Sequence, residues 1–307
     1  MTALRIATFN VLFGTQDRGP GSWPERLRLI ERALEQARPD LLGLQEALPS
    51  RLDDVAAAVG DLALIPGPCR GAARWTAVST ALDGMLSLAR SRHLPDPLEV
   101  ARGRREIALS GEHQPIAYRR DLFRPVGSGA FWISATPERP GSMLPLAPTP
   151  FLVHWARLEL VSEGGTILIL NGHLGHAPWH HAVTATTIAR QIETLAASRV
   201  AGEQDRWIVL LGDFNAVASS PLLRRLTSAT GMGFVDGAAL ARERAGAPVT
   251  FHWGFGAKRL GLTLDYVLVR GPLRPSRTEV IDVHEGRLYP SDHHPLVVEF
   301  ETQDTSR

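Results

Sequence analysis

Apolar positions along this 307-residue chain fall into short unbroken runs and longer stretches with helical spacing. The first run, Leu4–Phe9, reads as a buried strand leading into Asn10. Pro24–Ala37 then sets Leu27, Ile30, Leu34 and Ala37 on one helix face, and Pro24 suits the first turn. Leu41–Leu44 is a short buried strand followed by Gln45 and Glu46, and Ser50–Val59 predicts a short helix with Ser50 as N-cap. Residues 66–110 show little pattern beyond helical spacing at Leu82–Arg90. Strands return at Gln114–Tyr118, Leu152–Val161 and Thr166–His173, the last two split by a Glu163-Gly164-Gly165 hairpin turn. Trp179–Ser198 predicts a helix, Trp207–Leu211 a strand, and Ser219–Leu226 a short helix opened by Ser-Ser-Pro. Leu262–Val269, Arg277–Val283 and Leu296–Glu301 predict the last strands. Pro145–Pro150 has linker composition but lies between strand patterns, so it is expected to be a loop within one domain spanning 1–307.

Composition narrows the picture. With 44% hydrophobic and 21% charged residues the chain is a folded globular protein, not a disordered or fibrous one. No apolar run reaches the roughly 20 residues of a membrane helix, and the N-terminus lacks a signal-peptide pattern. Cys69 is the only cysteine, which excludes an intramolecular disulfide framework and a multi-cysteine zinc site, so a reducing cytoplasm is the expected compartment. A net charge of +1 removes any bulk attraction for a long polyanion and leaves only a local basic patch. Lys258 is the only lysine. The arginine bias suits forked phosphate recognition, but coding bias is the favoured explanation.

The chemistry lies where polar residues end apolar runs. Asn10, Glu46, His173, Asp213, Asn215 and Asp292-His293 each sit at or just beyond such a run. Strand ends gathered on one rim hold side chains rigidly. Glu46 and Asp292 offer hard oxygens that suit Mg²⁺, amides donate hydrogen bonds, and imidazoles neutralise phosphoryl charge. Taken singly, each has a plainer reading: Glu46 as a helix-start acid, Asp213 and Asn215 as an Asx turn, His173 as a core histidine. Asp265 argues more strongly, because it interrupts an apolar strand and an unpaired buried carboxylate costs several kcal/mol. It needs a partner, and His293 is the expected one, with an arginine ion pair as the alternative. The histidines His173, His176, His180 and His181 lack zinc-motif spacing, since Pro178 interrupts them, and read as solvent- or substrate-facing groups.

Six segments together resemble the Mg²⁺-dependent endonuclease/exonuclease/phosphatase superfamily. They are Thr8-Phe9-Asn10-Val11, Gly43-Leu44-Gln45-Glu46, Asn171-Gly172-His173-Leu174, Gly212-Asp213-Phe214-Asn215, Leu264-Asp265-Tyr266-Val267 and Ser291-Asp292-His293-His294-Pro295. They occur in the family's order across residues 8–295. The segment 131–142, with Arg104 and Gly111-Glu112 before Ile116-Ala117-Tyr118, resembles a bacterial branch related to deadenylase-like and nocturnin-like members. The resemblance implies a DNase I-like, four-layered α/β/β/α sandwich of two mainly antiparallel sheets flanked by helices. It also implies phosphoester hydrolysis by in-line attack of water. Glu46 would bind Mg²⁺, with Mn²⁺ a plausible substitute, and Asn10 and Asp292 would adjoin it. Asp213 would position or deprotonate the water, while Asn215, Asn10 and His173 would contact phosphoryl oxygens. His293, oriented by Asp265, would stabilise the transition state or activate water.

Three positions depart from the branch. Gly175 stands where it usually has Asp, and Phe151 and Ala182 stand where it has Arg. These changes remove groups that could touch substrate and leave the core chemistry. The expected substrate is therefore a small or short phosphoester, with nucleic acid left open and Arg104 among the phosphate contacts. Diester and monoester, endo and exo action are not separated by the sequence. A lipid or inositol-phosphate phosphoesterase is the alternative, and a catalytically silent scaffold is disfavoured because Glu46, Asp213 and His293 are all present. No membrane insertion is expected, and the protein is taken as a monomer.

Overall fold

The computed structural model describes residues 3–13, 21–71, 106, 109–162, 164–198, 204–252 and 261–302. Leu82–Arg90 and Arg102, Arg104 and Arg105 lie outside them. Among the described residues thirteen strands form two sheets: β1 Ala3–Asn10, β2 Leu41–Gln45, β3 Leu62–Ile65, β4 Ile116–Arg119, β5 Phe123–Trp132, β6 Leu152–Leu160, β7 Thr166–His173, β8 Asp205–Asp213, β9 Val235–Asp236, β10 Glu243–Gly246, β11 Asp265–Arg270, β12 Leu273–Val280 and β13 Leu296–Thr302. The first sheet runs β10-β12-β13-β1-β2-β4-β3 and the second β5-β6-β7-β8-β11-β9. Most pairings are antiparallel, but β1–β2, β10–β12 and β7–β8 are parallel, so both sheets are mixed.

Alternate residues of the central strands point to opposite sides, and three apolar clusters result. Ile6, Leu41, Ile169, Val209, Val267 and Val298 pack between the sheets. On the outer face of the first sheet, Phe9 and Leu44 pack with Leu29, Ile30 and Leu34 of helix α1 Trp23–Ala37 and Val55 of helix α2 Leu52–Ala58. On the outer face of the second, Leu168, Leu170 and Leu210 pack with Ile188 and Ile192 of helix α3 His181–Ala197 and Leu223 and Leu226 of helix α4 Pro221–Thr227. Helix, sheet, sheet and helix make the four expected layers.

Several local expectations change. Ser50 is not an N-cap: it lies in a 3-10 turn, Pro49–Arg51, and its main-chain N and Oγ both donate to Glu106 at 2.7 Å. A 3-10 turn, Pro178–His180, likewise precedes α3, whereas Ser220 caps α4 by accepting from Leu223 N. The strand expected over Leu262–Val269 begins only at Asp265, and the one expected over Arg277–Val283 runs over Leu273–Val280. β12 lies near the edge of its sheet, beside the four-residue β10, so its half-exposed polar residues hide the apolar alternation. β5 has no sequence counterpart for a related reason. It is an edge strand, where Pro125 and Gly129 are tolerated and only Phe123, Phe131 and Trp132 are buried.

Candidate active site

Strand direction explains why the polar strand ends meet. β1 and β2 run parallel, so Asn10 and Gln45 reach the same edge, and Glu46 follows directly. β13 is antiparallel to β1, with Thr8 opposite Leu296, so Asp292 and His293 arrive at that edge just before β13 starts. In the second sheet His173 pairs with Asp213 across parallel strands, and Asp213 pairs with Asp265 across antiparallel ones. Asp265 is therefore the first residue of its strand, at the rim, not an interruption within it. At Gly212, φ is +133° and a Cβ would lie 1.9 Å from the Gly172 carbonyl oxygen, so only glycine lets β7 and β8 close beside Asp213.

The two rims are stitched together by side chains. Asn10 Nδ2 donates to Glu46 Oε1 at 2.9 Å and to Asp213 Oδ2 at 3.1 Å, joining the sheets. Its Oδ1 accepts from Leu12 N, and Glu46 Oε2 accepts from Phe13 N at 3.1 Å. The Asn10 amide thus holds the Glu46 carboxylate and turns its oxygen away from it. Asp213 faces two imidazoles, His293 Nε2 at 3.5 Å and His173 Nε2 at 3.7 Å. Each ring is held from behind by a buried carboxylate: His293 Nδ1 by Asp265 Oδ2 at 2.8 Å, His173 Nδ1 by Glu112 Oε1 at 2.6 Å. Asp213 Oδ1 accepts from Asn215 N, and Asn215 Nδ2 donates to the Leu174 carbonyl. Leu12, Glu46 and Asn215 all adopt left-handed backbone, at φ +50°, +63° and +49°. Strain of this kind, roughly 1 kcal/mol or more each, persists where the surrounding structure overdetermines it.

Burial and charge set the protonation pattern. Burial opposes charge on His293, yet Asp265 and Asp213 outweigh it and raise the ring to about 10. His173 rises to about 9 in the same way, through Glu112 and Asp213. Burial would also raise Glu112, but Arg70 and His173 hold its carboxylate at about 2. Glu46 is pushed up by burial and by repulsion from Glu112 and Asp292, a sign that the acidic pocket lacks positive charge. Five carboxylates, Glu46, Glu112, Asp213, Asp265 and Asp292, face three cations, His173, His293 and Arg70. Among the described residues the acids of this cluster outnumber its cations. Glu46 and Asp292 supply the hard oxygens a divalent cation prefers. Among the described residues, Asp213, Asp265 and His293 also bring three ligand-type atoms within 4.8 Å of one another. His293 Nδ1 is already engaged by Asp265 there, which favours an acid–base array over a ligand set.

The expected residues thus converge, except Arg104, which lies outside the described residues. Sequence reasoning cited Glu112 only as part of a branch motif and passed over Arg70 entirely. A Gly-Glu pair just before an apolar strand was the available signal for Glu112; Arg70 had none. Of the histidines 173–181, His176 stands at the rim, where its desolvating surroundings and the charges of His173 and His293 lower its pKa. His180 Nε2 instead bonds the Pro145 carbonyl. Two departures from the branch pattern prove to be neighbours, since a Cβ on Gly175 would lie 2.6 Å from the Phe151 ring. Apolar contact stands where the branch pattern has Asp and Arg.

Comparison with known proteins agrees with this fold. No curated protein matches the sequence. Among solved structures, an endonuclease/exonuclease/phosphatase from Bacteroides vulgatus is 19% identical, with 99% of this chain and 100% of that one covered and a TM-score of 0.76. A mannosyl-6-phosphatase from Bacteroides thetaiotaomicron is 21% identical, with 97% and 99% covered and a TM-score of 0.73. The human nocturnin catalytic domain with bound sulfate is 18% identical, with 98% and 95% covered and a TM-score of 0.63. These likenesses show the shared fold. The model of the Endonuclease/Exonuclease/phosphatase family matches residues 7–293, nearly the whole chain, and the protein therefore belongs to that family of phosphoester hydrolases.

Proposed function

We propose that the protein is a divalent-metal-dependent phosphoesterase acting on a small or short phosphoester, with its chemistry centred on Asp213. The observation that carries this reading is the placement of one carboxylate between two imidazoles, each oriented by its own buried acid. His293, held protonated by Asp265 and Asp213, stabilises negative charge on the phosphoryl oxygens, and His173 faces them from the other side. Asp213, raised by burial and by Asp265, takes the proton of the attacking water. Asn215, fixed to the Leu174 carbonyl, stands next to this array. Glu46, adjoined by Asp292, would hold Mg²⁺ or Mn²⁺, which supplies Lewis-acid stabilisation of the phosphoryl group when bound. Substitution of Glu46 by Gln keeps shape and removes charge, so activity should fall at least about a hundredfold. Full activity in EDTA, or an unaffected Glu46→Gln variant, would overturn the assignment.

A lipid or inositol-phosphate substrate is the second reading. It is favoured by apolar side chains in the loops that follow His173 and Asn215: Trp179 is 69% exposed and Val217 39%. An assay panel of p-nitrophenyl phosphate, bis-p-nitrophenyl phosphate, mannose 6-phosphate, short single-stranded DNA and RNA, and inositol-phosphate lipids separates the two. Preference for the lipids would replace the small-substrate reading. Efficient cleavage of long duplex DNA with a steep salt dependence would overturn both.

A further inference from the structure

Behind Glu112, which orients His173, stands a residue to which the chemistry above gives no role, Arg70. Glu112, 2% exposed, turns its Oε1 to His173 Nδ1 on one side and to Arg70 Nη1, 3.4 Å away, on the other. Arg70 is itself 8% exposed and its backbone is pinned at both ends: its N donates to the Glu112 carbonyl at 3.0 Å, and its carbonyl accepts from Trp132 Nε1 at 2.7 Å. Gly71 N adds a bond to the Ser110 carbonyl. Gly111 completes the fit, because a Cβ there would lie 2.5 Å from Arg70 Cγ and 2.7 Å from the Gly71 carbonyl oxygen, in a backbone at φ +79°. The segment 70–71 is thus laced to 110–112 so that one guanidinium meets one buried carboxylate.

The electrostatics say why that carboxylate needs a second cation. Glu112 lies near enough to Glu46 to repel it, so His173 alone would leave Glu112 facing an acidic pocket with one partner. A buried carboxylate in that position gains by rotating or taking up a proton, and either change removes the acceptor that orients His173. Resting on the proposed phosphoesterase reading, we propose that Arg70 is a positioning residue. It locks the Glu112 carboxylate, which in turn holds the His173 ring with Nε2 toward Asp213. Among the described residues Arg70 Nε has no partner, so a direct grip on substrate is the rival role, and the two make different predictions.

The test uses Arg70→Gln, Arg70→Lys, Glu112→Gln and the Arg70→Gln/Glu112→Gln double variant. In ¹⁵N-histidine-labelled protein without substrate, Arg70→Gln and Glu112→Gln should perturb the same His173 ring resonances and leave those of His293 in place. This arm does not depend on any activity, so it separates failure of the positioning role from failure of the phosphoesterase reading. With whichever panel substrate is turned over, Arg70→Gln should lower kcat about tenfold or more with KM within about twofold. The double variant should lose no more than Glu112→Gln alone, and Arg70→Lys should recover part of the rate. Unchanged His173 resonances, or a rise in KM at constant kcat, would overturn the positioning role. If Arg70→Gln fails to fold, Arg70→Lys carries the same two readouts, because a lysine keeps the charge but not the fork.

Discussion

Asp213 shows how much of the site's chemistry is decided by single side chains in a dry setting. Its two imidazole neighbours are held cationic by Asp265 and Glu112 behind them and by Asp213 itself, and each hydrogen-bonded carboxylate–histidine pair acts as a unit. Losses within a unit do not add. Asp265→Asn, His293→Gln and the double variant should therefore show similar residual kcat/KM, with circular dichroism confirming the fold. Multiplicative losses in the double variant would mean that Asp265 serves only the strand that it opens. The sequence made this pair legible, because a lone acid beside an apolar strand demands a partner. Its place in the strand was not legible: Leu262 and Leu264 look like strand, yet Leu262 makes only an isolated bridge to Phe251 and the strand itself begins at Asp265.

At the level of elements, helix α1 does more than cover the first sheet. Arg26, 6% exposed, sends Nη1 to the carbonyls of Val11 and Pro290 and Nη2 to those of Leu12 and Phe13. It ties the turn after β1, whose Phe13 N holds Glu46, to the segment that leads into Asp292. Arg26→Met keeps the apolar stem and strands several buried carbonyls, which should cost about 2–4 kcal/mol in denaturant unfolding and also impair activity. A loss under about 0.5 kcal/mol would show that water replaces the guanidinium without penalty. Nothing in the helical spacing marks Arg26 for this task, because it sits on the buried face among Leu29, Ile30 and Ala33. Its partners come from segments far apart in the chain, and local pattern carries no such information.

Across the whole molecule, buried histidines of opposite kinds define a pH window. His154, fully buried against the Gln114 carbonyl, is pushed down by burial to about 4, and His252 by burial and His294 to about 3. Unfolded, both titrate near the ordinary value of about 6.5. Between these values the unfolded chain binds more protons, so stability is full above pH 6.5 and falls as pH drops toward 4, by on the order of 3 kcal/mol for His154 alone. His173 and His293 act oppositely: raised to about 9 and 10, they contribute stability that is full below pH 6.5 and lost as pH rises through those values. The melting temperature should therefore peak at about pH 6.5 and fall on both sides. His154→Leu should flatten the acid limb, and a wild-type profile level from pH 7 to 4.5 would contradict the assignment.

The sequence by itself determined which residues could do chemistry and roughly where each would stand. Short apolar runs ending in Asn10, Glu46, His173 and Asp213 place polar groups at strand ends because a run and its termination are local properties of the chain. The six segments in order carried the family and the layered fold, and the acid against an apolar strand carried the need for a partner at Asp265. Only the tertiary structure decided what lies behind and between those ends. It set Glu112 and Arg70 behind His173, joined the two rims through Asn10, and brought Phe151 against Gly175. It also formed β5 from a segment whose proline and glycines and mostly unburied middle hide a strand in sequence. The physical reason is common to all of these. Partners across a packed interface are chosen by sheet order and strand direction, which arise from burial summed over the whole molecule and leave no mark in the spacing of neighbouring residues.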